Sequence, residues 1–146
     1  MIALGSDHAG LPLKREIIAL LERMGLEYKD YGTYTEDSCE YAVFAQRAAK
    51  AVASGECERG ILCCGTGIGI SIAANKVPGI RCALCGDSFS AKATRLHNNA
   101  NVLALGSMVV GEGLALELID AFLNAEFEGG RHQRRVDLIA KLEAEE

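Results

Sequence analysis

Short apolar runs alternate with longer amphipathic stretches along the whole chain. Each run is too short for a helix and ends at glycine or polar residues, so it predicts a strand. The five predicted strands are at 2–5, 26–31, 60–63, 80–84 and 102–105. They are nearly continuous in apolar residues, which is typical of a sheet covered by helices on both faces.

The amphipathic stretches predict a helix after each strand. In the stretch 11–24, Leu13, Ile17 and Leu20 recur at spacings of three and four residues, so one stripe of the helix faces the sheet. The other helices are predicted at 41–54, after the third and fourth strands, and at 112–125 and 131–144. This alternation predicts a three-layer, doubly wound α/β fold with a five-stranded parallel sheet of the Rossmann-like or flavodoxin-like kind, in the order 2-1-3-4-5.

Composition limits the choice of partners. The chain has 146 residues, 49% of them hydrophobic, which predicts one globular domain over 1–146. A net charge of -5 and an aromatic content of 5% argue against a nucleic-acid or membrane partner. The first apolar run is too short for a signal peptide, and none reaches the length of a membrane span, so we expect a cytoplasmic protein with six reduced cysteines.

The most unusual stretch is 60–76, where an apolar run breaks at Cys64 into alternating glycines and a helical pattern follows. We interpret it as a strand, a tight loop and a helix. Such a loop aims backbone N–H groups at a ligand, and a cysteine there can serve as a base or nucleophile because the helix dipole stabilises a thiolate. The alternative is an ordinary strand-to-helix connection with a buried cysteine. The glycine spacing fits neither the dinucleotide-binding loop nor the nucleoside triphosphate loop.

A second candidate loop follows the first strand. Ligands of doubly wound sheets bind at the carboxyl ends of the strands where the strand order reverses, which here is between the first and third strands. Asp7 and His8 leave the first strand at that point, so we expect them to share one crevice with Cys64. In the alternative interpretation, Asp7 caps the first helix and His8 is an exposed polar residue.

Three further groups could carry chemistry. Cys82 and Cys85 have C-x-x-C spacing, but the run around them predicts a buried strand with the two thiols on opposite faces, which disfavours zinc or redox chemistry. His97 ends the fourth helix and could be a catalyst or an ordinary helix-ending residue. Arg131 and Arg135 share one face of the last helix at its positive end, where they could clamp a phosphate or pair with surface carboxylates.

Six segments together carry a resemblance to a known family: 5–10, 30–33, 64–76, 79–81, 97–104 and 129–135. Through these segments the chain resembles ribose-5-phosphate isomerase type B over almost its whole length, and more distantly the galactose-6-phosphate isomerase subunits. The resemblance implies an aldose–ketose isomerase of the pentose phosphate pathway, acting on ribose 5-phosphate and ribulose 5-phosphate through a cis-enediolate. It also implies at least a homodimer, with the C-terminal helix at the interface and active sites shared between the chains, or a tetramer.

The resemblance also implies a role for each site residue. Cys64 would be the base, with Thr66 and the loop 65–69 holding the developing oxyanion, and His97 would open the sugar ring. The loop residues that would contact the substrate are Gly65, Thr66, Gly67, Ile68 and Gly69. Asp7 and Asn98 would position the sugar hydroxyls, and His8, Arg131 and Arg135 would hold the phosphate. No cofactor and no metal are implied, because positioned side chains can move both protons.

Two departures from the family pattern bear on the substrate. Glu40-Tyr41-Ala42 replaces the usual Asp-Tyr-Pro, so a role for Tyr41 beside the sugar is kept as a hypothesis. Met108 stands where the family usually has an arginine on the phosphate side. An isomerase for another aldose, such as a hexose 6-phosphate or a free sugar, is therefore an alternative. A non-catalytic sugar-phosphate binding module is a second alternative, since the fold alone does not imply chemistry. A thiol-redox role would rest only on the vicinal Cys63 and Cys64 and on the pair Cys82 and Cys85.

Overall fold

In the computed structural model, which describes residues 1–145, each strand is followed by a helix, and a sixth helix follows the last of these. The strands are β1 (Ile2–Ser6), β2 (Tyr28–Asp30), β3 (Arg59–Cys64), β4 (Cys82–Leu84) and β5 (Val102–Gly106). The helices are α1 (Leu11–Arg23), α2 (Tyr41–Ala53), α3 (Ile68–Ala74), α4 (Ser88–Asn98), α5 (Glu112–Asn124) and α6 (Arg131–Ala144). All strand pairs are parallel, which confirms the predicted α/β class.

Two hydrophobic clusters lie on opposite faces of the sheet. One contains Ile17 from α1 and Phe122 from α5, and the other contains Ala48 from α2 and Ile70 from α3. Each cluster also takes the side chains that point to its own face of the strands, because successive strand residues alternate in direction. Helices on both faces confirm the predicted three layers.

The order of the strands is β2-β1-β3-β5-β4, so the predicted order 2-1-3-4-5 is wrong at one edge of the sheet. All of β5 is buried, and it pairs with both β3 and β4. The shorter β4 is only partly buried, and its residue Leu84 is exposed. The longer apolar strand, β5, occupies the interior because only there is a strand covered on both sides. The shorter β4 is left at the edge of the sheet, so the prediction of a buried strand at 80–84 is wrong.

The reversal of strand order between β1 and β3 is retained in the observed topology. The two strands pair in register, with Ser6 beside Cys63, so the loops that leave their carboxyl ends are neighbours. This edge of the sheet is where a doubly wound fold binds its ligand. Within the described residues, we find no helix with the length and apolar character needed to cross a membrane.

A buried ion pair fixes α1 to the loop after β2. Lys14 is 1% exposed, and its Nζ lies 2.7 Å from Asp30 Oδ1. The same ammonium group donates a hydrogen bond to the carbonyl oxygen of Thr33. Both bonds satisfy a cation that burial would otherwise destabilise strongly. The loop that leads from β2 toward α2 is therefore held against the first helix.

Candidate active site

The Cys64 thiol lies at the end of β3, beside the first turn of α3. Its side chain is 4% exposed, and its Sγ accepts a hydrogen bond from the Gly67 N–H at 3.1 Å. Gly67 has a φ of 79°, and a Cβ there would lie 2.8 Å from the carbonyl carbon of Leu105. Only glycine fits this backbone position, so the chain turns sharply and aims an amide at the sulfur.

The rest of the loop is ordered by its own side chains. Thr66 Oγ1 accepts a hydrogen bond from the Ile68 N–H at 3.2 Å, at the start of α3. Gly65 is half-buried, and the Ile68 side chain is exposed at the rim of the loop. The structure thus groups Gly65, Thr66, Gly67 and Ile68 around Cys64, as the sequence predicts.

The loop after β1 reaches the same edge of the sheet. Asp7 is buried, and its N–H donates to the carbonyl oxygen of Cys63 at 3.3 Å. Its Oδ1 accepts from the Gly10 N–H at 2.9 Å, so the carboxylate also stabilises the turn before α1. His8 Nδ1 accepts from the Cys39 N–H at 3.2 Å. Asp7 and His8 therefore leave β1 beside the loop that contains Cys64.

The loop after β5 completes this edge. The Ser107 N–H donates to the carbonyl oxygen of Cys64 at 2.9 Å, and its hydroxyl donates to Ala9 O at 2.8 Å. Ser107 thus joins the three loops, a role that sequence reasoning missed. The Met108 N–H donates to Gly65 O at 2.9 Å, and the Met108 side chain is 78% exposed. The position where the family usually has an arginine therefore presents an apolar side chain at the rim.

The Tyr41 ring covers the start of α3. A Cβ added to Gly69 would lie 2.6 Å from Tyr41 Cζ and 2.9 Å from its hydroxyl oxygen, so the ring packs directly on this glycine. Tyr41 is the first residue of α2 and is 40% exposed. The position of Tyr41 at the start of a predicted helix is the sequence signal that could have placed it near the site. Helices that follow parallel strands begin at the carboxyl edge of the sheet, where Cys64 lies.

The other predicted residues lie at the opposite edge of the sheet. Helix α4 runs back from the carboxyl edge of the sheet, so His97 and Asn98 at its end lie just before β5. Asn101 also precedes β5, and its carbonyl oxygen accepts a hydrogen bond from the Gly60 N–H at the start of β3. From Gly60 to Cys64, β3 rises by about 13 Å at about 3.3 Å per residue. One chain therefore does not bring His97 and Asn98 together with Cys64.

The start of α6 lies beside the end of α4. The rings of His97 and His132 stack with their centroids 4.4 Å apart, and His97 Nε2 lies 3.4 Å from Glu128 Oε1. Arg131 and Arg135 are exposed on the same first turns of α6. The two arginines therefore accompany His97 and not Cys64. Among residues 1–145, His97, Glu128 and His132 form the one group of three potential ligands close enough to hold a metal ion.

Burial disfavours the thiolate form of three of the other cysteines. All six cysteines are free, as predicted. Burial raises the pKa of Cys63 well above its usual value, the pKa of Cys82 to about 12 and that of Cys85 to about 11. Cys82 packs against one core cluster and Cys85 lies in the other, so the C-x-x-C pair is split between the two faces of the sheet. Cys64 is left as the thiol that faces a helix N-terminus.

Comparison with known proteins gives one consistent family. The profile of the family described as Ribose/Galactose Isomerase matches residues 2–139. The structure of ribose-5-phosphate isomerase B from Clostridium thermocellum is 55% identical and superposes with a TM-score of 0.97, covering 98% of this chain and 97% of that one.

Two further relatives differ in what their names state. The structure of ribose-5-phosphate isomerase B from Mycoplasma genitalium, determined with bound ribulose-5-phosphate, is 42% identical with a TM-score of 0.95 and covers 99% of this chain and 97% of that one. A D-erythrulose-4-phosphate isomerase from Pectobacterium atrosepticum is 47% identical over 146 residues, 99% of this chain and 96% of that protein. The same scaffold thus carries isomerases named for different sugar phosphates.

Proposed function

The chain belongs to the ribose/galactose isomerase family, and we propose that it interconverts D-ribose 5-phosphate and D-ribulose 5-phosphate in the cytoplasm, as a step of the pentose phosphate pathway. The observation that carries this proposal is the Cys64 thiol, held 3.1 Å from the Gly67 N–H at the reversal point of the sheet. The six free cysteines support a reducing compartment. The substrate is a small sugar phosphate, and no nucleic acid or membrane is involved.

In the proposed reaction, Cys64 moves one proton between adjacent carbons of the open-chain sugar. The sulfur takes the proton from C2 of the aldose and returns it to C1, while the proton of the 2-hydroxyl moves to O1. The intermediate is a cis-enediolate, and the atoms balance without an oxidant or a cofactor. Thr66 and the amides of Gly65, Gly67 and Gly69 hold the charge that develops on oxygen, and removing one such donor costs about 3 kcal/mol in the transition state.

His97 is the acid and base that opens the furanose ring in this proposal. Asp7 and Asn98 position the sugar hydroxyls, and His8, Arg131 and Arg135 hold the phosphate. Arginine suits this task because its planar guanidinium matches phosphate oxygens. Asp7 and His8 lie at the Cys64 edge of the sheet, whereas the other four residues, His97, Asn98, Arg131 and Arg135, lie at the opposite edge of the same chain.

A complete site therefore needs two chains, and we propose a homodimer, or a tetramer built from such dimers. One chain supplies Cys64 and its loop, and the partner chain supplies its own copies of the residues at the other edge. The exposed apolar side chains of α6 support an interface that includes this C-terminal helix. They are Leu138, Ile139 and Leu142.

A mixing experiment tests the shared site. The variants Cys64→Ala and His97→Asn are each expected to be inactive, and mixing them under conditions that exchange subunits restores activity. The restored activity is about one quarter of the wild-type value, because half of the randomly formed dimers are hybrids and each hybrid has one complete site of two. Failure to restore activity, with exchange verified by mass spectrometry, would contradict the shared site.

The reaction itself is tested by a coupled isomerase assay. Cys64→Ala lowers kcat by at least about 100-fold, the range expected for loss of a general base. The matched control is Cys63→Ala, which removes the neighbouring thiol from the opposite face of the sheet and leaves most of the turnover. Purified wild-type protein that turns over no pentose or hexose, phosphorylated or free, would overturn the proposal.

The same variants decide between an enzyme and a non-catalytic binding module. If Cys64→Ala still binds the sugar phosphate by calorimetry while turnover is lost, the site is catalytic. If the wild-type protein binds the sugar phosphate tightly and converts none of it, the binding module is correct.

A second candidate substrate is another aldose or aldose phosphate. It is favoured by Met108, which puts an apolar side chain at the rim. The Pectobacterium relative, named for a tetrose phosphate, shows that names within the family differ. A panel of tetrose, pentose and hexose phosphates and free sugars tests it. Highest kcat/KM on ribose 5-phosphate would contradict this candidate.

The variant Met108→Arg sharpens that panel. It is expected to raise kcat/KM for phosphorylated sugars and to leave free sugars nearly unchanged, because the added guanidinium forms its strongest contacts with a phosphate group, which a free sugar lacks. Val109→Arg is the matched control, since Val109 is the next residue and is also exposed, at 67%. An equal gain from both variants would indicate a general charge effect and not a phosphate contact at position 108.

A further inference from the structure

The side chains of His97, Glu128 and His132 converge at the amino edge of the sheet from three separate segments. His97 lies in the last turn of α4, Glu128 in the loop between α5 and α6, and His132 in the first turn of α6. The Glu128 N–H donates to the carbonyl oxygen of Leu96 at 3.0 Å, which fixes the loop against α4. We refer to the three residues as the His97–Glu128–His132 cluster.

The spacing of the cluster suits a divalent metal ion. Each residue offers one ligand atom, and these atoms all lie within 4.8 Å of one another. Ligands at about 2.1 Å from a tetrahedral zinc ion lie about 3.4 Å apart. His97 Nε2 and Glu128 Oε1 are already separated by 3.4 Å. The ligand nitrogen of His132, within 4.8 Å of both other ligand atoms, is the donor that has to move closer.

The donor atoms of the cluster also suit a cation. The two imidazole rings stack with their centroids 4.4 Å apart, and the Glu128 carboxylate lies beside them. A neutral imidazole keeps the lone pair that a metal ion requires. Two imidazole nitrogens and one carboxylate are a known ligand set for zinc with an open fourth position.

We propose that the His97–Glu128–His132 cluster binds one Zn²⁺ ion per chain and that this ion inhibits the enzyme. The ion occupies the nitrogen of His97 that would exchange protons with the ring oxygen of the sugar. The inhibition rests on the proposed role of His97, whereas zinc binding itself rests on the geometry of the cluster alone.

Calorimetric titration of the chelator-treated protein with ZnCl₂ tests the binding. We expect one ion per chain for the wild type, and Glu128→Gln is expected to weaken the affinity by at least about tenfold. The matched control is Glu126→Gln, which removes the same charge from the same exposed loop but no ligand, and leaves the affinity unchanged. Glu128 is exposed, so its variant keeps the fold even if a substitution of the buried His132 does not.

Co²⁺ in place of zinc identifies the ligands. Binding through nitrogen and oxygen gives visible absorption bands without a thiolate-to-cobalt charge-transfer band, and His132→Ala removes these bands. A charge-transfer band would place the ion on the cysteines and overturn the proposal. So would the absence of one-to-one binding, or equal zinc affinity of Glu128→Gln and the wild type.

The inhibition is measured separately, with each variant compared with its own zinc-free rate. We expect zinc to inhibit the wild type and Glu126→Gln equally, a chelator to restore both rates, and Glu128→Gln to need at least about tenfold more zinc. Equal zinc sensitivity of Glu128→Gln and wild type would overturn inhibition through the cluster. If the zinc-free wild-type protein converts none of the sugars, the result counts against the proposed isomerase. The zinc-binding result stands independently of that outcome.

Discussion

The contact between Gly69 and Tyr41 gives the sharpest test of the proposed site. In Gly69→Ala the new Cβ would lie 2.6 Å from Tyr41 Cζ, 2.7 Å from Cε1 and 2.9 Å from the hydroxyl oxygen. Carbon atoms in ordinary contact are about 3.5–4.0 Å apart, so the ring must move by about 1 Å. The ring is 40% exposed, so it can move outward without disturbing the core.

This displacement should affect activity far more than stability. Alanine in place of glycine in a helix contributes about 0.5–1 kcal/mol, which offsets the cost of moving an exposed ring. The free energy of unfolding is therefore expected to change by less than about 1 kcal/mol. If Tyr41 lines the sugar site, a shift of about 1 Å lowers kcat/KM by up to about 100-fold, or about 2.7 kcal/mol in the transition state.

The assay compares kcat/KM and urea unfolding for Gly69→Ala, Tyr41→Ala and the double variant. Because both single changes act on the same ring, the double variant should be no worse than Tyr41→Ala alone. Gly113→Ala is the matched control, since Gly113 is also the second residue of a helix and a Cβ there meets nothing within 4 Å. Full activity of Gly69→Ala, or additive losses in the double variant, would refute the reasoning.

Three further substitutions have expected effects on stability or activity. Gly67→Ala puts a side chain at a φ of 79° and 2.8 Å from the Leu105 backbone. Chemical denaturation should therefore show a loss of at least about 2 kcal/mol in the free energy of unfolding, and turnover should be lost as well. Lys14→Met removes the buried partner of Asp30 and is expected to cost about 3 kcal/mol, and an unchanged denaturation midpoint would show that the ion pair contributes nothing. Cys82→Ser should leave kcat unchanged because burial raises the pKa of that thiol to about 12, and lost activity would instead support thiol-redox chemistry.

The local pattern was sufficient to locate the helices and the main loop. The predicted helices 112–125 and 131–144 correspond to Glu112–Asn124 and Arg131–Ala144. An amphipathic stripe is a short-range property, since each helix must present one apolar face to the same sheet. The loop after Cys64 could likewise be predicted from neighbouring residues alone. Alternating glycines directly after an apolar run are typical of a sharp turn from a strand into a helix.

The contacts of Tyr41 and Ser107 could not be predicted in the same way. Tyr41 packs on Gly69 and Ser107 bonds to Ala9 across long stretches of sequence. Nothing in the residues around either side chain specifies such a partner, because a ring or a hydroxyl at the end of an element is compatible with many neighbours. These contacts arise only when three loops meet at one edge of the sheet.

The sequence by itself determined the α/β class, the succession of elements and the thiol at the end of β3, because hydrophobic periodicity and glycine positions act within one element and its neighbours. The tertiary structure decided the order of β4 and β5, since the two strands compete for one interior position and the fully apolar β5 gains more from being covered on both faces. It also decided that His97 meets Glu128 and His132 at the edge opposite to Cys64. The physical reason is that side chains from distant segments become neighbours only after the helices have packed on the sheet.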